Sequence, residues 1–545
     1  MDKRGRYYLK VNRADQIASF YDRRLYRTLE ILPGALVWAT FVILFFLSWY
    51  RPLWVAIFVI IFDVYWIAKT IYLSSHMRPS FNKMQQNTKM NWRKKLDELQ
   101  GKADPAKVLS PSLSVKRWED IIHLVVFPMY KEPYDLVRES FSALQKSNYP
   151  LDRMIVVLAI EERAGEAVQQ LAERIRGEFG SNFFAFLITV HPANIAGELA
   201  GKGSNETWAV KEVKAKIIDA RNIPYDHIIV SSFDIDTQVL PEYFGVLTYN
   251  YLTTPDPLHS SFQPIPVYLN HIWQTPALAR VLAFSGTFWQ VIQQERPDSM
   301  ATFSSHSMSF AALVEVGFWQ TNVVSEDSRI FWQCFLYYDG KYKITPLFYP
   351  ISMDANVAPT FWKTVGNQYL QHRRWAYGVE NVPYVIFGTL KSKMKWSKKV
   401  LFILGTFENY YSWATNSLII FLFGWAPILF GGSSFHMSVV AYNLPRITGD
   451  LMTFATLGLV TSVYFSLRLM PPRPDYYGKH KYILLALEWL MVPFTLNIFS
   501  SIPAVESQTR LMLGHYMGFW VTEKTRKSAD VSAAPAKKML SPKAR

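Results

Sequence analysis

The chain is 545 residues long, half of it hydrophobic and 16% aromatic, with a formal net charge of +15. One cysteine, Cys334, excludes an intramolecular disulfide and any cysteine-rich metal site. The positive excess flanks apolar segments, where anionic lipid headgroups are nearer partners than nucleic acid, so a nucleic-acid-binding class is set aside.

The amino-terminal segment 1–31 carries Lys3, Arg4, Arg6, Arg23, Arg24 and Arg27 ahead of the first apolar run. It is longer than the basic region of a signal peptide and lacks a small-residue cleavage site, so it is expected to be retained on the cytoplasmic side. Residues 32–50 make about 28 Å of helix, enough for a bilayer core, and 52–74 can cross again. Arg51-Pro52 leaves almost no loop, so 32–75 reads as a tight transmembrane hairpin. Asp63 lies mid-span with no basic residue in either span to pair with it; it is read as a protonated or hydrogen-bonded packing residue and kept out of the site. The following segment, 76–118, is a basic linker with Arg78, Lys83, Lys89, Arg93, Lys94 and Lys95, again cytoplasmic by its charge.

Residues 119–397 read as a cytoplasmic domain. Apolar runs at 121–128, 153–160, 183–190 and 227–234 alternate with helical patterns at 134–146, 165–178 and 203–220. That alternation predicts an α/β domain with a mostly parallel, Rossmann-like sheet, inserted between transmembrane helices. Ligands in such sheets bind at the carboxyl ends of the strands. Tyr130 and Glu132 follow the first run, Glu161 and Glu162 the second, Asp234 and Asp236 the fourth.

Asp234 and Asp236, one residue apart after a buried strand, can hold a hard divalent cation while diphosphate oxygens complete the shell. The preceding HIIVSSF is too apolar for a solvated turn, the ordinary setting of a short acidic pair. Ser325-Glu326-Asp327 precedes a helical pattern, so a capped helix with acidic residues at its positive end is one reading. Beside a metal site upstream, Asp327 becomes a candidate general base for removing a hydroxyl proton. Gln371-His372-Arg373-Arg374-Trp375 offers an amide, a fork-shaped cation and an indole, suited to a diphosphate and a sugar ring. The same string suits an interfacial amphipathic helix, and both can hold together.

The order D-x-D (Asp234, Asp236), E-D (Glu326, Asp327), Q-x-x-R-W (Gln371, Arg374, Trp375) resembles that of the processive family 2 glycosyltransferases, the cellulose, chitin and hyaluronan synthases. Phe519-Trp520-Val521-Thr522-Glu523-Lys524 is similar to the F-x-V-T-x-K gating loop of the bacterial cellulose synthase catalytic subunit. The resemblance runs from about 120 to 525 and implies a GT-A fold for the insert. It implies an inverting, metal-dependent hexosyltransferase with Asp327 as catalytic base. Asp234 and Asp236 would meet metal (Mg2+ or Mn2+), and Asp234 the nucleotide as well. Tyr130, Glu132, Glu161, Lys202, Gln371, Arg374, Phe519, Val521 and Thr522 would bind the donor, and Trp375 and Glu326 the acceptor. Lys202 and Asn205, in GKGSNETWA, match the family's lysine-to-asparagine segment near the donor. Two departures stand out: Glu161-Glu162 replaces paired aspartates, and PMYKEP replaces P-x-Y-N-E.

The segment 398–515 is read as transmembrane and interfacial helices, with crossings at 400–431 and 452–470 and a basic cytoplasmic loop at 471–481. One further crossing at 482–503 would place the gating loop, 516–526, away from the nucleotide. Pro493 and Pro503 could break this stretch into a re-entrant or interfacial hairpin, so four full spans and a broken fifth element returning to the cytoplasm are expected. The tail 527–545 is small, polar and basic, read as disordered and too short for a cyclic-dinucleotide-binding domain. Among eighteen tryptophans most suit bilayer interfaces; Trp375, and Trp319 just ahead of Asp327, are singled out.

The function expected is transfer of a sugar from a nucleotide-sugar donor to a growing polysaccharide by a multi-pass plasma or inner-membrane protein, with export of the product. An accessory export subunit and membrane lipids are compatible partners. Transfer of one sugar to a polyprenyl phosphate or other lipid-linked acceptor is the alternative, and a channel or transporter a remote one. Uridine diphosphate is the implied nucleotide, with guanosine diphosphate open, and the motifs do not set the sugar.

Overall fold

The computed structural model describes residues 6–101 and 109–520. Among these, one sheet contains β1 (Ile122–Met129), β2 (Met154–Glu161), β3 (Ala185–His191), β4 (Ile228–Ser232), β5 (Gln238–Val239), β6 (Ser260–Asn270), β7 (His306–Ser309) and β8 (Lys343–Asp354). Their order across the sheet is β3-β2-β1-β4-β7-β6-β8-β5. The half formed by β3, β2, β1 and β4 is parallel, as expected, with Val125 opposite Val156 on one side and Ser231 on the other. The other half is mixed: β7 is antiparallel to β4 and β6, β5 is antiparallel to β8, and β6 is parallel to β8.

Both faces of the parallel half are covered, which is why its strands read as continuous apolar runs rather than alternating ones. Leu124 and Val126 enter one core, together with Tyr8, Leu9, Val11 and Ile17 of the amino-terminal segment. Val125 and Phe127 enter the other, under the helices Tyr134–Gln145 and Glu166–Phe179.

The expected basic linker is more ordered than a linker. The second helix runs from Pro52 to Lys89, and Met77, Phe81 and Met84, spaced to share one face, pack beside Ile265, Phe284, Phe465 and Trp489. A further helix, Trp92–Gln100, buries Trp92, Leu96 and Leu99 against the domain.

Among the described residues three helical runs are long and apolar enough to cross a membrane: Phe20–Tyr50, Pro52–Lys89 and Lys481–Leu513. Helices also stand at the two other expected crossings, Trp396–Leu418 and Val439–Leu469. The third run is not the hairpin that its prolines suggest. It continues as one helical rod that changes winding, with a tight turn at Glu488–Met491 and a wide π-turn at Asn497–Ser501. Pro493 and Pro503 each fall near the start of an α-helical stretch, where a missing N–H costs least. Asp63 is buried in the second helix, and neither carboxylate oxygen has a hydrogen-bond partner among the described residues.

Candidate functional site

The candidate residues gather along the carboxyl ends of β1, β2, β4 and β8. Beyond β1, the Tyr130 N–H donates to Glu132 Oε2 at 2.8 Å, closing a short turn. At the end of β2, Glu161 is buried and gives both oxygens to Arg163, at 2.6 and 3.0 Å. The Arg163 guanidinium lies 4.4 Å from the centre of the Tyr130 ring. Glu161 is thus charge-paired within the chain, by a residue that the sequence did not single out. Glu162 accepts from the Ala193 N–H at 2.8 Å.

The centre of the site is built around Asp234, in the turn after β4. Lys202 Nζ donates to Asp234 Oδ1 at 2.7 Å, and Ser304 Oγ donates to Asp234 Oδ2 at 2.5 Å. The Ser304 N–H donates in turn to Asp327 Oδ2 at 2.9 Å. One serine therefore ties D-x-D to E-D, ninety-odd residues apart in the chain. Ser304 has φ 51°, a left-handed conformation that costs a non-glycine residue about 1–3 kcal/mol and persists only where surrounding bonds fix it. Asp236 is fully buried, and its Oδ2 accepts the Asp354 N–H at 3.0 Å at the end of β8. Asn270 Nδ2 donates to Asp354 Oδ1 at 2.9 Å, binding the ends of β6 and β8 to the same turn.

Ser325 stands at the amino-terminal cap position of the helix Glu326–Tyr337 with Glu326 and Asp327 in its first turn, as the capping reading expects, but its side chain makes no capping hydrogen bond. Its hydroxyl donates to Glu380 instead, at 2.8 Å. Gly203 makes room for the motif: a Cβ there would come within 2.9 Å of the Glu326 Cβ and 3.1 Å of the Gln320 carbonyl.

Burial alone would lower the Lys202 pKa, but Asp234, Glu206, Glu326 and Asp327 surround it and together hold it above its ordinary value. Burial raises Glu326 well above the usual carboxylate range; Asp327 adds to this, and Lys202 and Arg374 oppose it. Burial also pushes Glu206 up to about 7, against the opposing pull of Lys202, 3.9 Å away, and of the hydrogen bond from the Ser232 hydroxyl. One oxygen each of Glu206 and Glu326 has no hydrogen-bond partner among the described residues. His306, on β7, is lowered to about 3 by burial and is neutral. The Tyr268 hydroxyl is raised by burial and by the charges of Asp234, Asp236 and Asp327.

Gln371, Arg374 and Trp375 stand on the helix Phe361–Ala376, packed against the apolar run Lys481–Leu513 through Arg373 to Glu506 at 2.8 Å and His372 Nδ1 to the Phe499 carbonyl. Gln371 Oε1 accepts from Asn356 at 3.1 Å. Trp375 meets Phe303, the neighbour of Ser304, edge to face at 5.7 Å. Arg374 lies 4.9 Å from the centre of the Phe519 ring, and Phe519 lies on Gly201, where a Cβ would fall 2.6 Å from the Phe519 Cγ. Phe519 thus covers the residue before Lys202. Val521 and Thr522 lie outside the described residues. Asn205 donates to the Ala159 carbonyl at 2.8 Å, holding helix to strand, and Trp319 is a buried core residue.

Ser304, Glu206, Tyr268, Asp354, Arg163 and Glu380 escaped the sequence reading. Only the polar run Ser304-Ser305-His306 beside a short strand, and Asp354 at a strand end, carried any local signal.

Among the described residues no group of three or more His, Cys, Asp or Glu side chains forms a metal cage. Asp234 and Asp236 are hard oxygen donors, and a carboxylate oxygen that accepts one hydrogen bond keeps a further lone pair. Oxygen donors of this kind suit an ion of the magnesium type, which takes one or two carboxylates and completes its shell from phosphate and water.

No family model matches the chain, and no curated protein matches it in sequence. Among solved structures it is similar to the mannosyltransferase PcManGT from Pyrobaculum calidifontis in complex with GDP-Man and Mn2+, at 14% identity and a TM-score of 0.36 over 79% of this chain and 98% of that one. It is also similar to S. aureus TarS 1-349, at 10% identity and a TM-score of 0.35 over 73% of this chain and 93% of that one. Its likeness to TarS 1-349 in complex with UDP-GlcNAc is at 9% identity and a TM-score of 0.36 over 72% and 91% of the two chains.

Proposed function

We propose that this chain is a membrane-embedded, inverting glycosyltransferase of the processive family 2 type, moving a sugar from a nucleotide-sugar donor to a growing glycan. The observation that carries the reading is the convergence on Ser304: D-x-D, E-D and the lysine of GKGSN meet within hydrogen-bond reach, with the Q-x-x-R-W helix and Phe519 beside them. Each of those strings is common alone; here they meet beside the carboxyl ends of strands, where ligands bind in open α/β sheets.

In this reading Lys202 and Arg374 receive the donor diphosphate, and Trp375 offers a face to the acceptor sugar. Asp327 Oδ1 or Oδ2 takes the proton of the acceptor hydroxyl as its oxygen bonds to the sugar C1, and the C1–O bond to the diphosphate breaks on the opposite side. The displaced nucleoside diphosphate leaves with the bonding electron pair, and Lys202 offsets part of its charge. A divalent ion held by Asp234 and Asp236 would supply further charge compensation. Lys202, Glu206 and Glu326 are all largely out of solvent, where fixed charges act strongly. Phe20–Tyr50 and Pro52–Lys89 would cross the bilayer, with the sheet domain on the basic, cytoplasmic side, while Lys481–Leu513, tied to that domain through Glu488, Phe499 and Glu506, would stay on that side and leave Phe519 at the site.

The test is release of nucleoside diphosphate from a panel of nucleotide sugars by detergent-purified protein with magnesium or manganese. Turnover of one donor is expected, and Asp327→Asn should lower kcat by about 10²–10⁴-fold. A ladder of products is expected; a single lipid-linked sugar would replace the polymer reading with single transfer.

A further inference from the structure

A buried polar network braces the Ser325-Glu326-Asp327 turn. Glu380 Oε1 accepts three hydrogen bonds from the two residues before Glu326: the Val324 N–H at 2.9 Å, the Ser325 N–H at 2.9 Å and the Ser325 hydroxyl at 2.8 Å. The next residue, Asn381, donates to Ser325 Oγ at 3.1 Å and to Ser328 Oγ at 3.0 Å. Residues 380 and 381 thus hold both ends of the four-residue turn that contains Asp327.

Arg329 locks this pair from the far side. It is wholly buried, as is Asn381, and Glu380 is 3% exposed. Its guanidinium donates to Asn381 Oδ1 at 2.6 Å, to the Glu380 carbonyl at 3.2 Å, to Gln320 Oε1 at 3.1 Å and to Asn12 Oδ1 at 3.3 Å, and lies 4.0 Å from the centre of the Tyr384 ring. Asn12 then donates to the Asn322 carbonyl at 2.7 Å, closing the ring through the amino-terminal segment.

A buried acid that serves only to fill a core would be an expensive filler. Here its acceptor oxygen fixes the backbone leading into Asp327, five residues after Trp375 in the same helical stretch. We propose that Glu380 is a positioning residue: it sets Asp327 relative to the acceptor face of Trp375, and the brace is completed by Asn12 of the amino-terminal segment. This rests on the transferase reading above, with Asp327 as its base.

Donor turnover by wild type, Glu380→Ala, Glu380→Gln and Asn12→Ala tests it. Glu380→Ala should lose kcat by roughly 10- to 100-fold at a donor KM within about two-fold, the scale of misplacing a reacting group by about 1 Å. Glu380→Gln keeps the acceptor oxygen and should recover most of that loss, and Asn12→Ala should lower kcat several-fold at unchanged donor KM. Wild-type kcat in Glu380→Ala, or a Gln variant as impaired as the Ala variant, overturns the proposal. Should Glu380→Ala fail to fold, Asn12→Ala decides: wild-type kcat there overturns it. Hydrogen exchange at the Val324 and Ser325 amides reads the brace without turnover, and faster exchange is expected in both Ala variants; unchanged exchange overturns the proposal. A wild type that turns over no donor sinks the transferase reading instead, whatever the exchange shows.

Discussion

Glu206 is the residue whose environment departs furthest from what a helix position four after Lys202 would suggest. Its carboxyl is raised by burial from its ordinary value of 4.5 to about 7, so over that interval the folded chain holds a proton that the unfolded chain has released. The sign follows from linkage: this contribution to stability is complete below about pH 4.5 and is lost as pH rises through 7. Glu206→Gln removes the loss, and its melting temperature should gain on wild type between pH 5 and pH 8; a gain that shrinks toward pH 8 would refute the assignment. Lys202 behaves oppositely because Asp234 is bonded to it directly. Lys202→Met leaves Asp234 and the buried Glu206 and Glu326 without their cation and should cost about 2–5 kcal/mol, seen as a lower melting temperature and weaker donor binding in titrations.

The helix Lys202–Val213 is placed by close contact rather than by its caps, since Gly201 receives Phe519 and Gly203 receives Glu326. Glycine to alanine inside a helix ordinarily gains up to about 1 kcal/mol. Gly203→Ala should instead destabilise the chain and lower turnover, because the added methyl meets a side chain and a backbone oxygen that cannot both yield; a neutral melting curve would argue against that contact. How much of this was legible differs by element. β1, β2 and β4 announce themselves because both of their faces are buried, and the helices between them show a helical period. β6, β7 and β8 do not: Pro264, Pro266, Pro346 and Pro350 interrupt the first and last, and His306–Ser309 is a four-residue strand of polar letters. Their mixed pairing depends on partners far along the chain, and so does the position of Ser304. Asp234, Asp327 and Trp375 could be named from spacing, whereas Arg163, Glu206 and Glu380 act through contacts that no local pattern encodes. The apolar run 482–503 misled for a different reason: its prolines were absorbed by changes in helical winding.

At the scale of the molecule, the sheet domain and the apolar helices are joined by buried charge. Arg280, on the helix Ala277–Gln293, meets Glu488 in the last apolar run at 3.1 Å, with both side chains largely buried. Removing one partner leaves the other uncompensated and costs about 3–5 kcal/mol, while removing both is nearly neutral. Glu488→Gln should therefore melt earlier in detergent, and Arg280→Met with Glu488→Leu should recover most of the difference. A second junction lies at the first helix, where Glu30 accepts from the Tyr516 hydroxyl at 2.9 Å and Arg27 donates to the carbonyls of Leu511 and Met512 at 3.1 and 2.6 Å. Three residues beyond Tyr516 stands Phe519, the side chain that rests on Gly201. A nascent chain still short of that point has already made its sheet, its acidic turn and its first helices, yet lacks the piece that covers the pocket. Synthesis itself then sets the order of events: the turn at Gly201 that leads into Lys202 gains its cover only after residue 519 has been made, so this contact is among the last the chain can form.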